Sequence, residues 1–230
     1  MISTIRLGFW SAILTAVLAA AFFAGGMFGS SYTESFQFPY FLSTFRPIDY
    51  ALFYPAFLLA PTFVVLIACI HQWAPLDRKA FSQVGLSFSL IYAGMIASDY
   101  FIQWTAVLPS ILSNETEGLS IFSLYNPHSL FVALKSLGYL MMNAALLSLV
   151  AVFAGRSRLE RGIRWLFVIS FVLAVGSFGA LSLMRYPIVV FEVVIIAIDV
   201  TVLIVSGALL SLFFKRIGDG HPAGFDMNQN

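Results

Sequence analysis

The chain has 230 residues, 60% of them hydrophobic and 10% charged, with a formal net charge of +1 and a mean hydropathy of +0.92. Soluble domains carry roughly 25% charged residues, so the composition excludes an ordinary water-soluble globule. The near-neutral balance excludes a nucleic-acid-binding face, which needs clustered Lys and Arg.

The fold class that follows is all-α: a polytopic membrane protein whose six transmembrane helices form one bundle with both termini cytoplasmic. A helix needs about 20 apolar residues to cross a hydrocarbon core of about 30 Å, and unsatisfied backbone polarity excludes almost any other spanning structure. Apolar runs predict helices at about 7–30, 49–72, 80–110, 129–154, 164–184 and 187–214. Residues 1–216 then form a single transmembrane domain, and 217–230 a flexible cytoplasmic tail.

The first run, MISTIRLGFWSAILTAVLAAAFFAGG, also has the layout of a signal peptide: a basic start, an apolar middle and small residues near its end. Along it Gly8, Ala12, Ala16, Ala20 and Ala24 recur every four residues, a stripe that lets helix backbones approach closely. The stripe serves either packing within the bundle or docking of a second membrane subunit. Residues 30–50 are rich in aromatics, with Tyr32, Phe36, Phe38, Tyr40, Phe41, Phe45 and Tyr50. This segment is expected to lie on the membrane surface or to close over a pocket.

The second run ends at APLDRK, 74–79, and the third at SNETEG, 113–118, where Asn114-Glu115-Thr116 is a formal glycosylation sequon. YNPHS, 125–129, reads as a turn and a helix start, with Asn126 and His128 expected to cap. GRSRLERG, 155–162, and RYP, 185–187, separate the last three runs. The single Cys69 rules out an intramolecular disulfide or a CxxC pair. His71, His128 and His221 are too scattered for a dedicated metal or haem site, so neither cofactor nor metal is expected.

Basic residues give the direction of the spans. Arg6, Arg78, Lys79, Arg156, Arg158, Arg161, Arg164, Lys215 and Arg216 flank one side, against Arg46 and Arg185 on the other, and the basic side is cytoplasmic. Trp10, Trp73 and Trp165 fall at predicted inner ends and Trp104 near an outer one, as indole's preference for the interface requires.

Lys135 lies about six residues into the fourth run, roughly 9 Å deep at 1.5 Å per residue. An unpaired ammonium costs on the order of 2.5–3.5 kcal/mol at a helix centre, so Lys135 must snorkel or find a partner. Asp99 in the third run and Glu192 in the sixth belong to the same half of the membrane, and Asp199 is one heptad below Glu192. Asp99 and Gln103 share a face, as do Lys135, Tyr139 and Asn143, with His128 nearly two turns above. Two readings follow. Either a carboxylate–Lys135 pair fixes helix register, or Asp99, Gln103, His128, Lys135, Tyr139, Asn143, Glu192 and Asp199 line an outward-facing ligand pocket between helices three, four and six.

DYFIQWTAVLPSIL at 99–112, NETEGLSIFSLYNPHSLFVALKSLGYL at 114–140 and RLERGIRWLFVISF at 158–171 resemble uncharacterised prokaryotic membrane proteins of about this size. That resemblance implies a six-helix membrane fold without established chemistry. In architecture the chain is also similar to the substrate-binding subunits of energy-coupling-factor vitamin transporters, which implies an energising partner on helix one.

The leading expectation is a protein that binds, and moves, a small or amphiphilic molecule, with aromatic walls and few polar groups as small-molecule sites usually have. A proton-coupled form would use Asp199 or Glu192. The alternatives are a noncatalytic membrane subunit docking a partner through Ala12, Ala16, Ala20 and Ala24, or an intramembrane enzyme acting on a lipid-like substrate. The enzyme reading lacks a nucleophile, a metal triad or a phosphate-cradling glycine motif. Membrane lipids are expected partners in every case, and nucleic acid in none.

Overall fold

The structure, a computed structural model, describes residues 2–28, 50–51, 53–124, 126, 128–153, 155, 157–184 and 188–219. Most of the aromatic segment 30–50 and the tail from residue 220 lie outside the described residues. Among those described, six helices are long and apolar enough to cross a membrane and no strand is present. The chain is a multi-pass, all-helical membrane protein. Its helices are α1 (Ile2–Phe28), α2 (Phe53–Trp73), α3 (Lys79–Ile102), α4 (Leu130–Ser148), α5 (Arg158–Met184) and α6 (Ile188–Gly218).

α3 does not stop at Ile102. It passes through one π-helical stretch, Gln103–Val107, into a last turn, Leu108–Leu112. Pro109 gives the physical reason: its ring clashes with the carbonyl four residues back and it has no N–H to offer. Widening the preceding turn, so that the Leu108 N–H reaches the Gln103 carbonyl, shifts the hydrogen-bond ladder before the proline arrives. α4 continues beyond Ser148 as a tight 3-10 turn, Leu149–Ala151.

Helix starts follow local chemistry. Ser129 caps α4, its hydroxyl accepting from the Val132 N–H at 3.1 Å, so the cap expected of Asn126 and His128 belongs to the next residue. Asn126 instead accepts the His128 N–H at 3.0 Å and donates to the Ser120 carbonyl at 2.9 Å. Ser157 accepts from the Glu160 N–H at 3.1 Å at the start of α5, placing an acid three residues after a serine cap.

The helices pack as a closed ring in chain order: each touches the next, and α6 returns to α1. The start of α1 and the finish of α6 share an end, where Gly218 faces Ile5. The seam between α1 and α6 is close. A Cβ on Gly207 would stand 2.6 Å from the Ala12 carbonyl and 2.8 Å from the Ala16 Cβ, and one on Gly8 would meet the Phe214 ring at 2.6 Å. The small-residue stripe is therefore divided: Ala12 is buried and Ala16 half-buried against α6, while Ala20 and Ala24 are exposed.

Aromatic clusters tie both ends of the bundle. At the end of Trp73, its ring meets Phe213 edge-on at 4.7 Å, and Phe213 meets Phe153 at 5.2 Å. At the end of Leu130, Trp104 stacks on Tyr54 at 4.4 Å and donates its indole N–H to the Tyr50 carbonyl at 3.1 Å. Trp10 and Trp165 are exposed near the Trp73 end. Many large apolar side chains, among them Leu14, Val172 and Leu183, face outward, as lipid contact requires.

Candidate functional site

α4 and α6 also touch across the ring, through charge. Lys135 Nζ stands 2.6 Å from Glu192 Oε2, both side chains being buried. Ser136, next to Lys135 on α4, presents its hydroxyl 2.5 Å from Glu192 Oε1 and 2.8 Å from the Val132 carbonyl. Each carboxylate oxygen of Glu192 thus has its own α4 partner. Of the two pairings open to Lys135, the structure forms the one with Glu192. Sequence reasoning missed Ser136, whose signal was a hydroxyl beside the one lysine of an apolar helix.

Asp99 reaches the same layer from α3. It is fully buried, within electrostatic reach of Lys135 and Glu192, and neither of its oxygens has a hydrogen-bond partner among the described residues.

About 10 Å further into the bundle, seven residues along α6 at 1.5 Å each, a second polar layer begins at Asp199. Asn143 on α4 donates its amide to Asp199 Oδ1 at 2.7 Å and to the Tyr139 carbonyl at 3.0 Å. Asp199 lines a cavity of about 20 Å³ with Tyr92, Tyr100 and Tyr139. That is room for about one water. Tyr92 and Tyr100 were also missed, although they stand eight residues apart on α3 with Ile96 between them, one continuous face.

Two predicted site residues lie elsewhere. Gln103 is buried, but its amide donates to the Phe122 carbonyl at 2.8 Å and its oxygen faces the Leu124 N–H at 3.4 Å. It fastens the α3–α4 connection to the end of α3. His128 is exposed and precedes the Ser129 cap, so the helical spacing that placed it above Lys135 does not apply to it. The structure brings together Asp99, Lys135 and Glu192 in one layer and Tyr139, Asn143 and Asp199 in the next. No group of three or more His, Cys, Asp or Glu that could hold a metal occurs among the described residues.

The two layers contain three carboxylates and one ammonium on three helices. Such an interior can exchange cations or protons and can orient a polar group, and it is expensive to maintain in lipid. No family model, curated protein or solved structure matches the chain, so the resemblances noted in the sequence contribute nothing further.

Proposed function

We propose that this membrane protein binds, and moves, a small or amphiphilic solute at the layer of Asp99, Lys135 and Glu192 between α3, α4 and α6, opening to the non-cytoplasmic side of the cell membrane. Asp99 is the observation that carries the reading. A salt bridge that only fixed α4 against α6 would be complete with Lys135, Glu192 and Ser136. A further buried carboxylate beside it adds desolvation and the repulsion of Glu192 against the pull of the one shared Lys135, with no hydrogen bond among the described residues in return. A solute with a positive or hydrogen-donating group supplies what Asp99 lacks.

The side is argued from the nine basic residues flanking the Trp73 end, which make that end, and both termini, cytoplasmic. Lys135 and Glu192 are buried against each other, and the cavity one layer deeper, beside Asp199, is about 20 Å³, far below the 300 Å³ or so at which small-molecule pockets begin. Binding therefore requires the α4–α6 contact to part. In this reading the described conformation is the closed one. Docking of a partner subunit on α1 would have Ala20 and Ala24 to use, since Ala12 and Ala16 face α6.

The test is cysteine labelling on intact cells in a Cys69→Ala background, with a membrane-impermeant maleimide. His128→Cys should label from outside, which checks the orientation. Lys135→Cys should label more slowly and be protected by a small alkylamine. If His128→Cys labels while a folded Lys135→Cys never does, the outward site is wrong and the lysine is a structural partner.

A further inference from the structure

We infer that Asp199 and Asn143 form a proton-binding site in the membrane interior, with one proton carried on Asp199 Oδ2 and donated to Asn143 Oδ1. The inference goes beyond the solute site and does not depend on it.

The hydrogen bonds of Asn143 carry the argument. A primary amide has two hydrogens, and those of Asn143 go to Asp199 Oδ1 at 2.7 Å and to the Tyr139 carbonyl at 3.0 Å. Turning the amide over would set its oxygen against two acceptors, so its orientation is fixed. Two buried acceptors are then left over, Asn143 Oδ1 and Asp199 Oδ2, and neither has a donor among the described residues. A carboxylate has no hydrogen to give, whereas a carboxylic acid has one. A single proton on Asp199 Oδ2 turns two unmet acceptors into a donor and an acceptor. The acid and the amide then satisfy each other reciprocally.

The cavity beside Asp199 offers it no cation, and among the described residues none of its hydroxyls hydrogen-bonds Asp199 Oδ2. α3 presents Tyr92 and Tyr100 to this cavity, α4 presents Tyr139, and α1 and α2 present Phe22, Ala56 and Leu59. On α6 itself the next charge is Glu192, already held by Lys135 and Ser136. None of these cavity-lining residues is a cation, so an ionised Asp199 would have no opposite charge beside it, and the Asn143 amide is the hydrogen bond it receives. Asp199 lies eleven residues past Ile188, about 16 Å along α6, close to the middle of a hydrocarbon core of about 30 Å. Burying a carboxylate there is costly, and protonation removes the charge.

The chemistry is a reversible proton transfer. Hydronium gives its proton to the Asp199 carboxylate, leaving water and the neutral acid, and release reverses the step. The adjoining cavity has room for about one water, which is enough to deliver the proton or receive it.

Infrared spectroscopy of the full chain in lipid vesicles at neutral pH tests this without any solute. Wild type should show a protonated-carboxyl carbonyl band that shifts in heavy water, and Asp199→Asn should lose that component while Asp99→Asn keeps it. Asparagine at 199 can make the same reciprocal pair with Asn143, so this variant should fold. Identical acid-carbonyl spectra for wild type and Asp199→Asn would overturn the inference. As a second check, Asn143→Leu should move the Asp199 band to higher frequency by removing its acceptor, and an unmoved band would refute the pairing. Maleimide protection at Lys135→Cys, measured in the Asp199→Asn background, reports on the solute site separately.

Discussion

Removing Lys135 should damage the protein more than removing its partner Glu192, and the asymmetry is the most direct consequence of the upper polar layer. Breaking one half of a buried ion pair typically costs about 3–5 kcal/mol, because the other charge stays behind uncompensated. Lys135→Ala leaves two carboxylates, Glu192 and Asp99, with the Ser136 hydroxyl as the remaining bond to Glu192. Glu192→Ala leaves the ammonium within reach of Asp99, so its loss should fall at or below about 3 kcal/mol, the low end of that range. The double variant Lys135→Met, Glu192→Leu replaces both charges by apolar volume and should be nearly neutral, since such replacements of buried pairs are often tolerated. Reversible unfolding in mixed micelles gives all the free energies, and the double-mutant cycle should show a coupling of at least about 2 kcal/mol. Additive single effects, or a Glu192→Ala loss exceeding that of Lys135→Ala, would refute the reasoning.

Gly207→Ala should open the α1–α6 seam, because its Cβ would lie 2.6 Å from the Ala12 carbonyl. A loss of about 1–3 kcal/mol, typical of overpacking, should appear in the same unfolding assay, and an unchanged midpoint would argue against the seam. Ser129→Ala removes the α4 cap and should cost about 1 kcal/mol, whereas Ser129→Asp should not. Gln103→Leu should release the 119–124 connection from α3, read as faster proteolysis within it while the six helices stay protected. If cleavage there does not quicken, Gln103 does not hold that segment.

The six spans were legible because a bilayer imposes length and apolarity on each helix independently of its neighbours. The shared face of Lys135, Tyr139 and Asn143 was legible for a related reason, since helical spacing within one element needs no tertiary information. Gln103 was misplaced because spacing tells which side a residue faces and not which loop folds over it, and the 119–124 connection covers that side. His128 was misplaced by a helix boundary: Ser129 is the cap, and periodicity has no meaning one residue earlier. Tyr92, Tyr100 and Ser136 went unnoticed because in an apolar sequence a tyrosine or serine reads as ordinary packing until another helix brings an acid against it. The turn at Gln103–Val107 has a sequence cause in Pro109, but a proline alone does not say whether the helix ends, kinks or widens.

Closure of the ring sets an order of assembly. Helices α1 to α5 can each pack on the one before as the chain is made, whereas the α1–α6 seam joins segments nearly 200 residues apart and must wait for the last of the six. Contacts so distant in sequence are the slow ones to form. Until α6 arrives, α1 exposes Gly8 and Ala12 to lipid, Lys135 lacks Glu192, and Asn143 lacks Asp199. A nascent intermediate with five helices thus displays a lysine without its Glu192 salt bridge and an open small-residue groove together, the two marks by which membrane quality control could tell unfinished chains from finished ones.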